Sequence, residues 1–164
     1  MRKANSGLFL LEMILVILFF SLTAAVYVRL FATAFQTGDA SRNLTQAVMI
    51  SQNLAEAFYA NGGDEAAMRS LFPDAHVSGD TAGDEYASGF LLSYDEDWNA
   101  IHTVPAEDGR ITGAFLASMY VRERTDFRDA EIEILRYAPG ETDNGWATVY
   151  SLSLTRYTPG TQEE

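Results

Sequence analysis

Apolar residues fill the chain from Leu8 to Val28, where Glu12 is the single charge among 21 positions. At about 1.5 Å per residue, a helix of that length crosses the roughly 30 Å hydrocarbon core of a bilayer. A helical period then takes over. Leu44, Val48, Ser51, Ala55 and Phe58 recur three or four residues apart, flanked by Ala40, Ala47 and Leu54. Arg42, Asn43, Gln46, Gln52 and Glu56 fall on the other side. The pattern predicts one helix over 8–59, apolar all round at first and one-sided later. Asn61-Gly62-Gly63 supplies its stop. Gly38, with Asp39 beside it as a new cap, predicts a kink or local melting over Gln36–Asp39.

Beyond the helix the period shortens to two. Asp64–Phe72 reads as a short helix with acids in its first turn, stopped by Pro73. His76–Ser88 is rich in Gly, Asp and Ser and reads as loop. Phe90, Leu92 and Tyr94 alternate on a strand, Asp95-Glu96-Asp97 turns the chain, and Trp98–Thr103 returns. Ala114–Arg124 predicts a longer strand, with Phe115, Met119 and Val121 on one side and Leu116 and Tyr120 on the other. Ala130–Tyr137 alternates around Ile132 and Ile134, with Glu131 and Glu133 opposite. After a turn-rich stretch over Pro139–Gly145, Trp146–Tyr157 sets Tyr150, Leu152 and Leu154 against Ser151, Ser153 and Thr155. Strands joined by short turns predict an antiparallel meander. The expected fold class is α+β: a long N-terminal helical spine packed on a C-terminal antiparallel sheet, one face on the helix stripe and the other open.

Charge is divided unevenly along this pattern. Residues 1–7 carry +2 from Arg2 and Lys3, residues 8–37 are neutral, and residues 38–164 carry −14. A basic head before an apolar span predicts a cytoplasmic N-terminus and an acidic body outside. That body repels phosphates, which argues against nucleic acid as a partner. There is no cysteine, so disulfides and thiolate chemistry are excluded and the outer domain depends on its own core.

Three readings fit the head of the chain. A secretory signal peptide would be cut after Ala25, a signal anchor would stay intact, and the third rests on Gly7 and Glu12 together. An acidic residue inside the span costs about 3 kcal/mol on insertion scales, which a bare anchor does not need. The polar leader MRKANSG ends at Gly7, the apolar run opens at Leu8, and Glu12 is the fifth residue counted from Leu8. This resembles the N-terminal signature of the type IV pilin and type II secretion pseudopilin family. The resemblance implies cutting between Gly7 and Leu8 by a prepilin peptidase and N-methylation of Leu8. Leu stands where the family more often has Phe or Met, and no proline interrupts the helix near its membrane exit. The stretch QAVMISQNLAEAFYA loosely resembles the matching helix of minor pilins and minor pseudopilins.

Under that resemblance the chain divides into a leader over 1–7, a transmembrane and assembly half-helix over 8–30 and an amphipathic half-helix over 31–61. A short helix and loop over 62–87, a sheet domain over 88–158 and a tail over 159–164 complete it. The implied protein is a structural subunit of a type IV pilus, a competence pilus or a type II secretion pseudopilus. Its implied partners are other pilin or pseudopilin subunits, the prepilin peptidase, the membrane and the inner-membrane assembly platform. It would begin as a single-pass protein of the cell membrane and end in a filament at the cell surface or in the periplasm. The cut would place a new ammonium at Leu8 four residues from Glu12, ready to pair with that carboxylate on a neighbour. The alternative is a membrane-anchored extracellular binding domain that never polymerises.

Other chemistry finds little support. Asp95, Asp97 and Asn99 alternate as in a calcium loop, but Ala100 stands where the EF-hand needs glycine and Ala106 where it needs glutamate. The better reading is an acidic hairpin turn. His76 and His102 lie far apart, with no thiol to complete a zinc set. Arg122, Arg124 and Arg128 interleave with Glu123, Asp126 and Asp129 and read as solvated strand and turn charges. Asn43-Leu44-Thr45 matches the N-glycosylation triplet, though its place on a helix makes chance the better account. No nucleophile elbow or phosphate-cradling glycine loop occurs, so the expectation is a protein with no catalytic residue, cofactor or metal.

Overall fold

The structure, a computed structural model, describes residues 6–78, 88–103, 112–140, 142 and 145–158. Helix α1 spans Ser6–Asn61, 56 residues. It runs through Gly38 and Asp39 without a break, so the local melting expected at Gln36–Asp39 does not occur. Glycine in a helix costs about 1 kcal/mol, too little to interrupt a ladder supported on both sides. Thr33 and Thr37 add hydroxyl bonds to the carbonyls of Arg29 and Thr33, at 3.0 and 2.9 Å. Asp39 is therefore a mid-helix residue, not a cap.

The chain forms two compact units, Met1–Arg42 and Asn43–Glu164. In the first unit the described residues are helix throughout. Among its described residues the second holds the end of α1, the short helix α2 (Glu65–Leu71) and six strands: β1 (His76–Ser78), β2 (Ser88–Tyr94), β3 (Ala100–Ile101), β4 (Phe115–Glu123), β5 (Phe127–Tyr137) and β6 (Trp146–Tyr157). Every pairing between these strands is antiparallel, in the order β1-β2-β4-β5-β6 with β3 on the far part of β2. That is the expected α+β meander.

The register aligns the apolar side of each strand. Val77, Phe90, Met119, Ile132 and Leu152 form one row across the sheet, and Leu92, Ala117, Ile134 and Tyr150 form the next. Ala47, Leu54, Ala55 and Phe58 of α1 are buried in the same cluster. Ser51 lies among them with no exposure, and its hydroxyl donates to the Ala47 carbonyl at 2.8 Å, so this buried donor is satisfied. Leu44, expected in this stripe, is 46% exposed. Helical spacing fixes a face, but only the sheet decides how far along the helix that face is covered.

Local chemistry closes the ends. Gly62 and Gly63 take φ of 67° and 76°, the left-handed turn that ends α1. A Cβ on Gly63 would sit 2.9 Å from a Val121 methyl, so close packing demands glycine there as well. Arg128 was expected to be a solvated charge. Instead its Nη1 donates to the Gly62 carbonyl at 2.9 Å while Nη2 pairs with Glu123. A cation at a helix C-terminus is favourable, and this one also ties β5 to α1. In α2, Asp64 accepts from the Ala67 amide at 2.9 Å as N-cap, Met68 points into the core, and Pro73 follows the end.

Two strand assignments differ from expectation. His76–Ser78 is strand β1 rather than loop, because pairing with Gly89–Leu91 of β2 supplies what its composition lacks. The rest of that expected loop, 79–87, lies outside the described residues, as does the tail from 159. The return strand is confined to Ala100–Ile101, and Trp98 sits in the turn at φ 65°.

Candidate functional site

The residues singled out by the N-terminal signature all lie on the exposed first part of α1. Gly7 and Leu8 lie side by side in its first turn, Glu12 stands one turn further on, and Leu8 is 66% exposed. From Leu8 to Phe35 every large apolar side chain is between 47% and 75% exposed, so none of them is buried among the described residues. α1 is long and apolar enough to cross a membrane. In lipid, each polar group there needs a partner within its own helix. Thr23 has one, since its hydroxyl donates to the Phe19 carbonyl at 2.8 Å. Glu12 has none among the described residues. Its neighbours one turn away, Leu8, Phe9, Leu15 and Val16, offer only hydrocarbon. A carboxylate so placed calls for a cation from beyond the described residues.

The acidic turn after β2 is committed to its own loop. Asp95 Oδ1 accepts from the amides of Asp97 and Asn99 at 2.9 and 2.8 Å, and Oδ2 accepts from the Asn99 side chain at 2.9 Å. Those bonds, the Asn99 amide group foremost, hold the Asp95 carboxyl below its usual 3.8. They also use the oxygens a calcium ion would need. Among the described residues no three His, Asp or Glu side chains are grouped to hold a metal. Trp98 follows, stacked on Phe115 at 3.9 Å between ring centroids, and its Nε1 donates to Asn43 Oδ1 at 3.1 Å. The residue of the glycosylation triplet is thus a structural acceptor. His102 lies 3.7 Å from Asp74, and His76 opens β1.

The face of the sheet away from α1 carries the remaining polar chemistry. Arg124 Nε reaches Asp129 at 3.0 Å, and Thr155 donates to the same carboxylate at 2.8 Å. A shallow groove of about 320 Å³ opens there, with Tyr120, Arg122, Glu131 and Ser153 among its walls. Sequence reading separated this face correctly but could not show which strands lie side by side, so the groove was not foreseen. No family model, curated protein or solved structure matches the chain.

Proposed function

We propose that the chain is a pilin-like structural subunit, of minor pilin or pseudopilin type, in a type IV pilus, competence pilus or type II secretion pseudopilus. The observation that carries this reading is Glu12. It stands fifth from a Gly7–Leu8 junction, has no partner among the described residues, and lies on a lipid-length helix whose far end is in the core of a folded domain. In this reading a prepilin peptidase cuts before Leu8, the N-terminus starts on the cytoplasmic side, and the acidic domain lies outside. The assembly platform then draws subunits together, and the Leu8 ammonium of one subunit meets the Glu12 carboxylate of the next. Such a pair in low dielectric penalises loss of one partner by about 3–5 kcal/mol, which gives the contact its selectivity.

Mass spectrometry of the membrane-inserted protein, produced with a prepilin peptidase and its filament machinery, tests the processing. An N-methylated Leu8 as first residue is expected; an intact Met1 would leave the chain a simple anchored domain. Glu12→Ala is expected to insert normally yet enter filaments roughly a hundredfold less, the equivalent of about 3 kcal/mol. Wild-type incorporation of that variant would remove the role given to Glu12.

A further inference from the structure

Strand β6 ends the sheet, and no described strand lies beyond it. An edge strand presents backbone N–H and C=O groups that only water or another strand can satisfy. Folded proteins blunt such edges with short strands, lysines, prolines or bulges. The opposite edge is blunted in this way, being the three-residue β1. β6 runs for 12 residues with no lysine, no proline and Arg156 as its one charge. Its irregularity is confined to one end, where the register slips between Ile134–Tyr150 and Leu135–Thr148 and leaves Val149 extra. From Tyr150 to Tyr157 the ladder is regular.

The two faces of β6 specify what an added strand must carry. Towards α1, Tyr150, Leu152 and Leu154 are half-buried at the margin of the core. Apolar residues beside them would complete that burial, at about 25 cal/mol per Å². On the other face Ser151, Ser153 and Thr155 are short and exposed. Directly across from them on β5 stand Glu133, Glu131 and Asp129. Asp129 is engaged by Arg124 and Thr155, whereas Glu131 and Glu133 have no partner among the described residues. An added strand would lie about 10 Å from β5, two strand spacings, which a lysine or arginine stem can cross over the small serines.

We propose that the β6 edge docks an extended segment of another protein in which apolar and basic residues alternate. A second copy of this chain is the poorer occupant. Residues 38–164 carry −14, and the one stretch alternating arginine with other residues, Tyr120–Arg124, belongs to the interior strand β4 and its end. The proposal stands whether or not the chain polymerises.

The test uses the full chain in detergent micelles and three synthetic peptides. One alternates Val and Lys, one alternates Val and Glu, and one holds the same Val and Lys in two blocks. The alternating Val/Lys peptide is expected to bind roughly tenfold tighter than either control. Ser153→Lys, which sets a like charge on an exposed edge position, is expected to weaken that binding roughly tenfold with thermal unfolding unchanged. Glu131→Gln combined with Glu133→Gln should weaken it too. Equal binding of the alternating and block peptides would overturn the proposal, since simple attraction to an acidic domain would explain it. The absence of native cysteine allows a second check. A disulfide-linked dimer formed by Ser153→Cys alone would also overturn it, by showing that a second copy holds the edge.

Discussion

Tyr94 shows how a single side chain records its surroundings. It ends β2 at 9% exposure, and burial pushes its phenol up to about 12 from the ordinary 10.0. Only the charged form is penalised, so the folded protein keeps a proton that the unfolded chain loses. The stabilisation is complete below pH 10 and disappears as pH rises towards 12, by about 2–3 kcal/mol at the limit. Urea unfolding at about pH 9 and about pH 11.5 should show that loss in the wild type and a smaller one in Tyr94→Phe. Equal alkaline losses would place the destabilisation elsewhere. The sequence marked Tyr94 as inward by alternation, and marked Asp95 as part of an acidic turn. It gave no sign that Trp98 takes a left-handed conformation to reach Asn43, because that bond joins residues 55 positions apart. Arg128 was read as a solvated charge for the same reason: its carbonyl partner, Gly62, lies 66 positions away.

At the scale of elements, periodicity predicts well where packing agrees with it. β4, β5 and β6 were legible because each runs for nine or more residues and carries apolar residues at alternate positions along part of that length. β1 was not, because three residues carry no period and its strand state comes from β2. The stripe on α1 was legible in direction but not in extent. Phe58 and Leu44 occupy the same periodic pattern, yet Phe58 has no exposure and Leu44 has 46%. Phe58→Ala should therefore destabilise the domain by about 3–5 kcal/mol, through lost burial and a cavity against Val121 and its neighbours. Leu44→Ala should cost under about 1 kcal/mol. Denaturant midpoints of the two variants, read from Trp98 fluorescence, check the contrast. Similar losses would mean that the domain covers more of α1 than the exposure of Leu44 indicates.

For the whole molecule the decisive fact is where the core begins. All buried apolar side chains among the described residues lie between Ala47 and Ala138, within the unit Asn43–Glu164. The exposed apolar residues from Leu8 to Phe35 lie in the other unit, Met1–Arg42. Folding of the second unit is therefore expected to be independent of the lipid-length segment, although one helix runs through both. A chain starting at Asn43 should unfold in one cooperative transition, within a few degrees of the full protein in detergent. Asn43 must be kept, because its acceptor for Trp98 is the first residue of that unit. If the shortened domain melts far below the full chain, the first 42 residues are part of the fold. If it melts alongside, their apolar surface is available to lipid or to equivalent helices without cost to the domain. A subunit that passes from membrane to filament requires that independence, as does a domain released by a cut after Ala25, whereas a merely tethered domain does not. The shortened chain thus tests a condition of the proposed function that neither the Leu8 terminus nor Glu12→Ala can reach.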